Sequence, residues 1–324
     1  MAKTFVTIVG ATGETGRSVT DAFLESGSFE ITALARPSSV NNQKYNTLQA
    51  RGVKVVGVEL TGPENDLVAA LSGIEVLIST LPHAAFADQI PLAKAAKKAG
   101  VKRFVPSEFA LVIPPRGVHL LQDKKTEILE TVQLLHLPYT IINVGWWFMA
   151  FVPSLSSGRT DYLRPSTMPK ENFIPGDGEA ATAMIDGRDI GRYVVRIIQD
   201  PRTLNKKVLA TGLVGSVNDS YKQMEEMSGE KIEKVYLAAE ELENQIRQLR
   251  DLVAQGKDDA QTSMMLYWLQ YMLSSGVRQD NTPEYAKYLG YVLASDLYPD
   301  FKPTTFQEFF REVLDGKARA PYSS

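Results

Sequence analysis

Near its start the chain reads Phe5-Val6-Thr7-Ile8-Val9, then Gly10-Ala11-Thr12-Gly13-Glu14-Thr15-Gly16, then a helix-like run from Arg17 to Leu24. A buried strand running through a glycine-rich turn into a helix admits few folds. Gly10 permits the tight turn, Gly13 lets backbone approach a pyrophosphate, and Gly16 lets helix and strand pack closely. Amide N–H groups at the helix start, at the positive end of its dipole, then hold phosphates. Alone, three glycines also suit a loop that merely needs positive φ. Their place between strand and helix predicts a dinucleotide site walled by Gly10, Thr12, Gly13, Glu14, Thr15 and Gly16.

Beyond Leu24 the chain keeps alternating. Strands are expected at 30–36, 53–60, 76–81, 101–106 and 139–144, with helices at 67–71, 89–99 and 121–135 between them. Strands and helices alternating at this spacing predict an α/β fold of Rossmann type, a doubly wound parallel sheet with ligands at the carboxyl ends of its strands. Residues 1–152 are expected to form this domain, with part of 185–212 joining it. Residues 153–324 are expected to form a smaller α/β substrate-binding domain or lid. There, 153–177 reads as loops, 189–199 as a helix with an apolar face, 208–211 as a strand, and 220–228, 239–254, 264–273 and 306–314 as helices. The charged 239–254 helix is expected to face solvent.

Bulk properties remove several function classes. A net charge of −3 over 324 residues leaves no electrostatic footprint for nucleic acid. No cysteine is present, which excludes disulfides, thiol nucleophiles and thiolate metal sites, and His83, His119 and His136 lack ligand-like spacing. The longest apolar stretch, 139–153, contains Asn143 and Gly145 and falls short of the ~20 residues of a membrane span. The first strand starts within five residues of Met1, leaving no room for a signal peptide, so a cytoplasmic protein is expected.

The end of the second strand selects the nucleotide. An acidic residue there would favour NAD, but Arg36 stands there, followed by Ser38, Ser39 and Lys44, with no carboxylate before Glu59. A guanidinium takes a phosphate bidentately, which favours NADPH, although Arg36 is also compatible with an ordinary surface arginine. On a helical wheel Leu121, Ile128, Leu129, Val132 and Leu135 share one face with Lys125 near its centre. On the tightest four of these, Lys124 and Lys125 flank it equally. A lysine turned toward an apolar face can exchange a proton with a bound substrate. Two snorkelling surface lysines are the plain alternative.

The glycine loop, Gln89, Ala99-Gly100-Val101-Lys102-Arg103-Phe104, Pro106-Ser107-Glu108-Phe109, Gly176-Asp177-Gly178, Asp189-Ile190-Gly191, Asp200-Pro201-Arg202-Thr203-Leu204-Asn205-Lys206 and Leu297-Tyr298-Pro299-Asp300 form an ordered series. This series resembles the NmrA-like proteins, the atypical short-chain dehydrogenases that include isoflavone, pinoresinol and phenylcoumaran reductases. The resemblance spans almost the whole chain. It implies an NADPH-binding domain, a smaller substrate domain and reduction of an aromatic or conjugated metabolite. It places the catalytic lysine at Lys125, the aromatic cover of the nicotinamide at Trp147, and the nicotinamide-ribose loop at Ser79, Thr80 and Leu81. Ser107 and Phe109 join the cofactor site by the same match. Trp146, Phe148, Met264, Met265 and Trp268 are expected to line the substrate pocket, although a Trp-Trp-Phe run also suits a core. The chain departs from the family at Ala110, where glycine is common, at Val58-Glu59, where Gly-Asp is usual, and at 249–262, which looks inserted.

The resulting expectation is an NADPH-dependent reductase of a hydrophobic aromatic or polyketide-like small molecule, acting on a carbonyl, imine or conjugated double bond, with Lys125 as proton donor or relay. A homodimer is its expected assembly. No nucleic acid, membrane or metal partner is expected. The family also suggests an NADP-binding redox-sensing regulator without turnover, and a cofactor-assisted isomerase is a third alternative.

Overall fold

A computed structural model of the chain describes residues 3–164, 171–257 and 259–320. Its first half alternates as the spacing predicts. β1 (Thr4–Val9), α1 (Glu14–Ser26), β2 (Phe29–Ala35), α2 (Gln43–Ala50), β3 (Lys54–Gly57) and α3 (Glu64–Ala70) come first. β4 (Val76–Ser79), α4 (Gln89–Lys98), β5 (Arg103–Val105), α5 (Leu120–Leu134) and β6 (Thr140–Asn143) come next. Five of these strands form a parallel sheet in the order β3-β2-β1-β4-β5. The order reverses between β1 and β4, the point outside which such sheets bind their ligands.

The sheet does not stop at β5. Phe104 bridges Tyr139 in parallel, and the Phe104 N–H donates to the Pro138 carbonyl at 2.8 Å, which brings in β6. Beyond β6 the order continues through strands from later in the chain.

That second half contains β7 (Trp146–Trp147), β8 (Asn172–Pro175), β9 (Thr182–Ile185), α6 (Gly187–Gln199), β10 (Lys206–Leu209), β11 (Leu213–Gly215), α7 (Val217–Ser228) and β12 (Lys234–Leu237). After them stand α8 (Ala239–Ala254), α9 (Ala260–Met272), α10 (Pro283–Tyr288), β13 (Tyr291–Leu293), α11 (Ala294–Leu297) and α12 (Phe306–Leu314). β10 pairs in parallel with both β6 and β13, so residues 206–209 and 291–293 finish the nucleotide-type sheet. The pair β8–β12 and the sheet β11-β9-β7 belong to the remaining half.

Two apolar layers cover the main sheet. Val6, Ile8 and Val19 pack with Phe23, Ile190, Val194 and Ile197 on one side, and Leu77, Leu92, Phe104, Ile128 and Val132 pack on the other. Removing a side chain such as Phe104 from water contributes about 1.5–3 kcal/mol. Helices α1 and α6 meet with no room to spare, since a Cβ on Gly191 would lie 2.0 Å from the Ser18 carbonyl oxygen. A further core joins Phe148, Phe306, Phe309 and Phe310.

Three local expectations change. Within 153–177, expected as loops, residues 172–175 form β8, held by β12, while 165–170 lie outside the described residues. Helix α8 is not wholly solvent-facing, because Leu242 and Ile246 are buried against Leu266 and Leu269 of α9. Strands β7, β9, β11, β12 and β13 are unexpected, each having four residues or fewer, too few for a period to register. The stretch 249–262 forms the end of α8, its connection and the first turn of α9, with residue 258 outside the described residues. Among the described residues no helix is long and apolar enough to cross a membrane.

Candidate active site

A cleft of about 680 Å³ lies at the carboxyl ends of the strands. Its floor is the loop after β1. Gly10 takes φ +82°, and a Cβ there would sit 2.8 Å from the Thr80 carbonyl oxygen. Gly16 is buried, and a Cβ on it would collide with the Gly10 carbonyl oxygen at 2.1 Å. Gly13 is different. Its φ of −78° suits any residue, and a Cβ on it would meet only the Gly10 oxygen, at an ordinary 3.4 Å. The fold itself does not require glycine there; what the bare position leaves open is space in the cleft at the start of α1, which fits a pyrophosphate. Thr12, Gly13, Glu14 and Thr15 line the cleft, and Glu14 is also ion-paired with Arg319 at 2.8 Å.

The far end of the cleft lies past β2. Arg36, Ser39, Asn42 and Tyr45 line it, together with Val58 and Glu59 from the turn after β3. Arg36 is exposed and makes no ion pair with a described residue, so its charge is available to an anion. Ser38 and Lys44 are exposed and do not line the cleft; Ser39 and the α2 cap residue Asn42 occupy those places instead. Tyr45 reaches back to the Leu34 carbonyl at 3.4 Å, and burial pushes its phenol up. Sequence spacing misses Asn42 and Tyr45, whose only signal is a capping residue opening a helix soon after Arg36.

The middle wall comes from β4 and the segment after β5. Thr80 and Leu81 line the cleft, while Ser79 is fully buried behind them in register with Val9. The Ser107 N–H donates to Gln89 Oε1 at 2.7 Å and its hydroxyl to the Leu81 carbonyl at 2.9 Å, which fixes Ser107, Glu108 and Phe109 along the wall. Trp147 completes the wall, its indole N–H donating to the Phe109 carbonyl at 3.3 Å. Ala110, in place of glycine, needs no positive φ, and its carbonyl accepts the N–H groups of Val144 and Gly145.

Lys125 stands directly behind this wall. It is 4% exposed, whereas Lys124 is exposed on the outer side of α5. The Lys125 amine donates to the Glu108 carbonyl oxygen at 2.7 Å and lies 3.4 Å from Glu108 Oε2. Burial pushes the Glu108 carboxyl up, and the nearby Lys125 charge opposes that push. The helix carrying Lys125 is anchored at its start by His119. Its Nδ1 accepts the Leu121 N–H at 3.1 Å, and its Nε2 lies 3.1 Å from the Tyr267 carbonyl oxygen. Those partners assign the neutral tautomer with the proton on Nε2. Burial, with the Lys125 charge adding to it, lowers the imidazole to about 3. Its ring packs on Tyr267 and Tyr271 of α9.

A second pocket, about 110 Å³, lies beyond β7. Trp146 and Trp268 line it with Phe151, Phe173 and Met272, and the Trp146 indole N–H donates to Ser275 Oγ at 3.0 Å. Successive strand residues point to opposite faces, which is why Trp147 serves the cleft and Trp146 the pocket. Three expected pocket residues lie elsewhere. Phe148 is packed between Phe306 and Phe309, Met264 is 52% exposed on α9, and Met265 packs against the α8–α9 core. Which of two neighbouring methionines meets solvent depends on how the helix is rotated, and a sequence does not give that.

The model of the NmrA-like family matches residues 2–310. The chain belongs to the NmrA-like family. It is 42% identical over 313 residues, 96% of its own length and 95% of the relative's, to a protein of Aspergillus novofumigatus named asnovolin J 5',6'-dehydrogenase. It is 31% identical over 326 residues to a phenylcoumaran benzylic ether reductase of Betula pendula, covering 96% of this chain and 99% of that one. The fold of the NADPH complex of leucoanthocyanidin reductase from Vitis vinifera superposes with a TM-score of 0.78, at 23% identity over 96% of this chain and 99% of that one.

Proposed function

We propose that this NADPH-dependent oxidoreductase moves hydride to or from a carbonyl, imine or conjugated double bond of a hydrophobic aromatic or polyketide-like metabolite, with Lys125 as the proton donor or relay. The observation that carries this reading is the burial of Lys125 against Glu108, a residue of the cleft wall itself. A snorkelling lysine would keep its amine in water. The glycine loop would hold the cofactor's pyrophosphate, Arg36, Ser39 and Asn42 its 2′-phosphate, and Trp147 would shield the nicotinamide from water. Bound NADPH supplies the hydride. Lys125 delivers the matching proton, and its charge steadies negative charge that develops on the substrate. The aromatic pocket around Trp146 and Trp268 would take the apolar body of the substrate.

The names of the relatives support both directions of the same chemistry, dehydrogenation for the Aspergillus protein and reduction for the Betula one. The test offers asnovolin J with NADP+ and, separately, aromatic enones, ketones, imines and benzylic ethers with NADPH, and tracks nicotinamide absorbance. At least one pair should turn over, and Lys125→Ala should bind NADPH normally while losing on the order of 100-fold or more in kcat. Full turnover by that variant would remove the lysine mechanism. NADPH binding without any turnover across the panel would favour a redox-sensing regulator.

A further inference from the structure

Glu108 belongs to two cavities at once. It lines the dinucleotide cleft, and it also lines a separate cavity of about 60 Å³. That rear cavity is bounded by Gln122, Thr126 and Leu129 of α5, Lys207 of β10 and Tyr291 of β13, and Pro115, which also lines it, is exposed. One water needs only ~10–15 Å³ of such space and two to four polar partners, and the lining includes Gln122, Lys207 and Glu108 beside the Thr126 and Tyr291 hydroxyls, which donate to Pro115 and Asn143 and keep lone pairs to accept with. Glu108 is 7% exposed, and its Oε2 pairs with the Lys125 amine at 3.4 Å, long for a contact between two buried charges. A buried ion pair held by so long a contact recovers little of its desolvation cost, so a role beyond stability is the better reason to keep it.

We propose that Glu108 is a positioning and relay residue, which holds the Lys125 amine through its carbonyl and passes protons through its carboxyl between Lys125 and water in the rear cavity. The inference rests on Lys125 being the proton donor. Net reduction consumes one proton for each hydride delivered. Lys125 gives that proton to the substrate, Glu108 restores it to Lys125, and cavity water restores it to Glu108. When substrate is oxidised, the same proton travels outward. Burial acts on the Glu108 carboxyl upward, the direction a proton carrier needs. The charged and titratable groups around it are Lys125 on α5, Lys207 on β10, Tyr291 on β13 and Tyr271 on α9. The two lysines favour its ionised form, and the low-dielectric surroundings favour its neutral form.

Three variants of the full chain test this: Lys125→Met, Glu108→Gln, and Leu129→Phe, which fills the rear cavity without adding charge. Difference infrared spectroscopy needs no substrate. Wild type should show a protonated-carboxyl band near neutral pH that fades as pH rises and is missing from Glu108→Gln; no such band overturns the relay. With a substrate pair that turns over, Glu108→Gln should lose about 100-fold in kcat at unchanged NADPH affinity, together with the fall of kcat at rising pH. Leu129→Phe should lose about tenfold and show a larger solvent deuterium isotope effect. Wild-type kcat and pH profile in Glu108→Gln overturn the relay while leaving Lys125 in place, provided Lys125→Met is dead. An active Lys125→Met overturns the lysine reading itself and the relay with it. Should Glu108→Gln fail to fold, Leu129→Phe decides alone, and a wild-type rate and isotope effect there overturn the proposal.

Discussion

Two adjacent lysines, Lys124 and Lys125, end in different surroundings because α5 turns about 100° per residue. One meets solvent; the other meets the Glu108 carbonyl and the face of Phe86, 5.7 Å from its Nζ. A comparable choice operates at the other end of the cleft, where Arg36 lines the wall and Lys44 does not. With a single cation among the residues lining that end, nucleotide preference should hang on one side chain. Arg36→Asp replaces a cation that donates hydrogen bonds to phosphate by a group that accepts from ribose hydroxyls and repels phosphate. NADPH binding should weaken by about 10- to 100-fold and NADH binding should strengthen, as read by fluorescence titration. Unchanged affinity for both would show that Ser39 and Asn42 suffice.

Helix α5 is the element on which the site depends, and His119 ties its start to α9. Because the folded imidazole stays neutral down to about 3, against 6.5 unperturbed, stability from this residue is fully present above pH 6.5 and is lost as pH falls toward 3. From about pH 7.5 to about pH 5 the loss through His119 should be about 2 kcal/mol. His119→Asn keeps a helix-capping oxygen but cannot protonate, so its urea midpoint should fall less steeply with acid than that of wild type. An equal slope in both would place the acid sensitivity elsewhere. The capping role is hidden in the sequence, where histidine is not a usual N-cap and its partners Tyr267 and Tyr271 lie about 150 residues away. By contrast, the alternation of strands and helices through residue 144 is legible, because its apolar runs, such as 76–81 and 101–106, stand between Gly and Pro residues that mark their ends. The candidate site divides along the same line: the glycine loop and Arg36 stand out locally and Lys125 only through the family's ordered motifs, whereas the places of Glu108, Asn42 and Tyr45 follow from contacts made across the fold. Phe148 and Met264 fall outside the pocket expected of them for a related reason: a run of apolar residues does not reveal which neighbour faces the cavity.

At the scale of the molecule, the two halves share one sheet. Strands β10 and β13 extend it past β6, and α6 lays Ile190, Tyr193, Val194 and Ile197 into the layer built by β1 and α1. A fragment of residues 1–152 lacks all of these. It should expose that apolar layer and give no cooperative urea transition by circular dichroism, and adding residues 153–301 should restore one. A sharp transition in the short fragment would show that the first half stands alone.

The late arrival of β13 bears on synthesis as well. While the ribosome is still making residues 145–290, the nascent chain presents the outer edge of β6, and then that of β10, without a partner, and an open parallel edge invites pairing with other chains. At ~5–20 residues per second that exposure lasts on the order of ten seconds or more. Production in cells should therefore rise with added chaperone, and fall when elongation through 145–290 is slowed, more than it responds to any stabilising change within the first 150 residues.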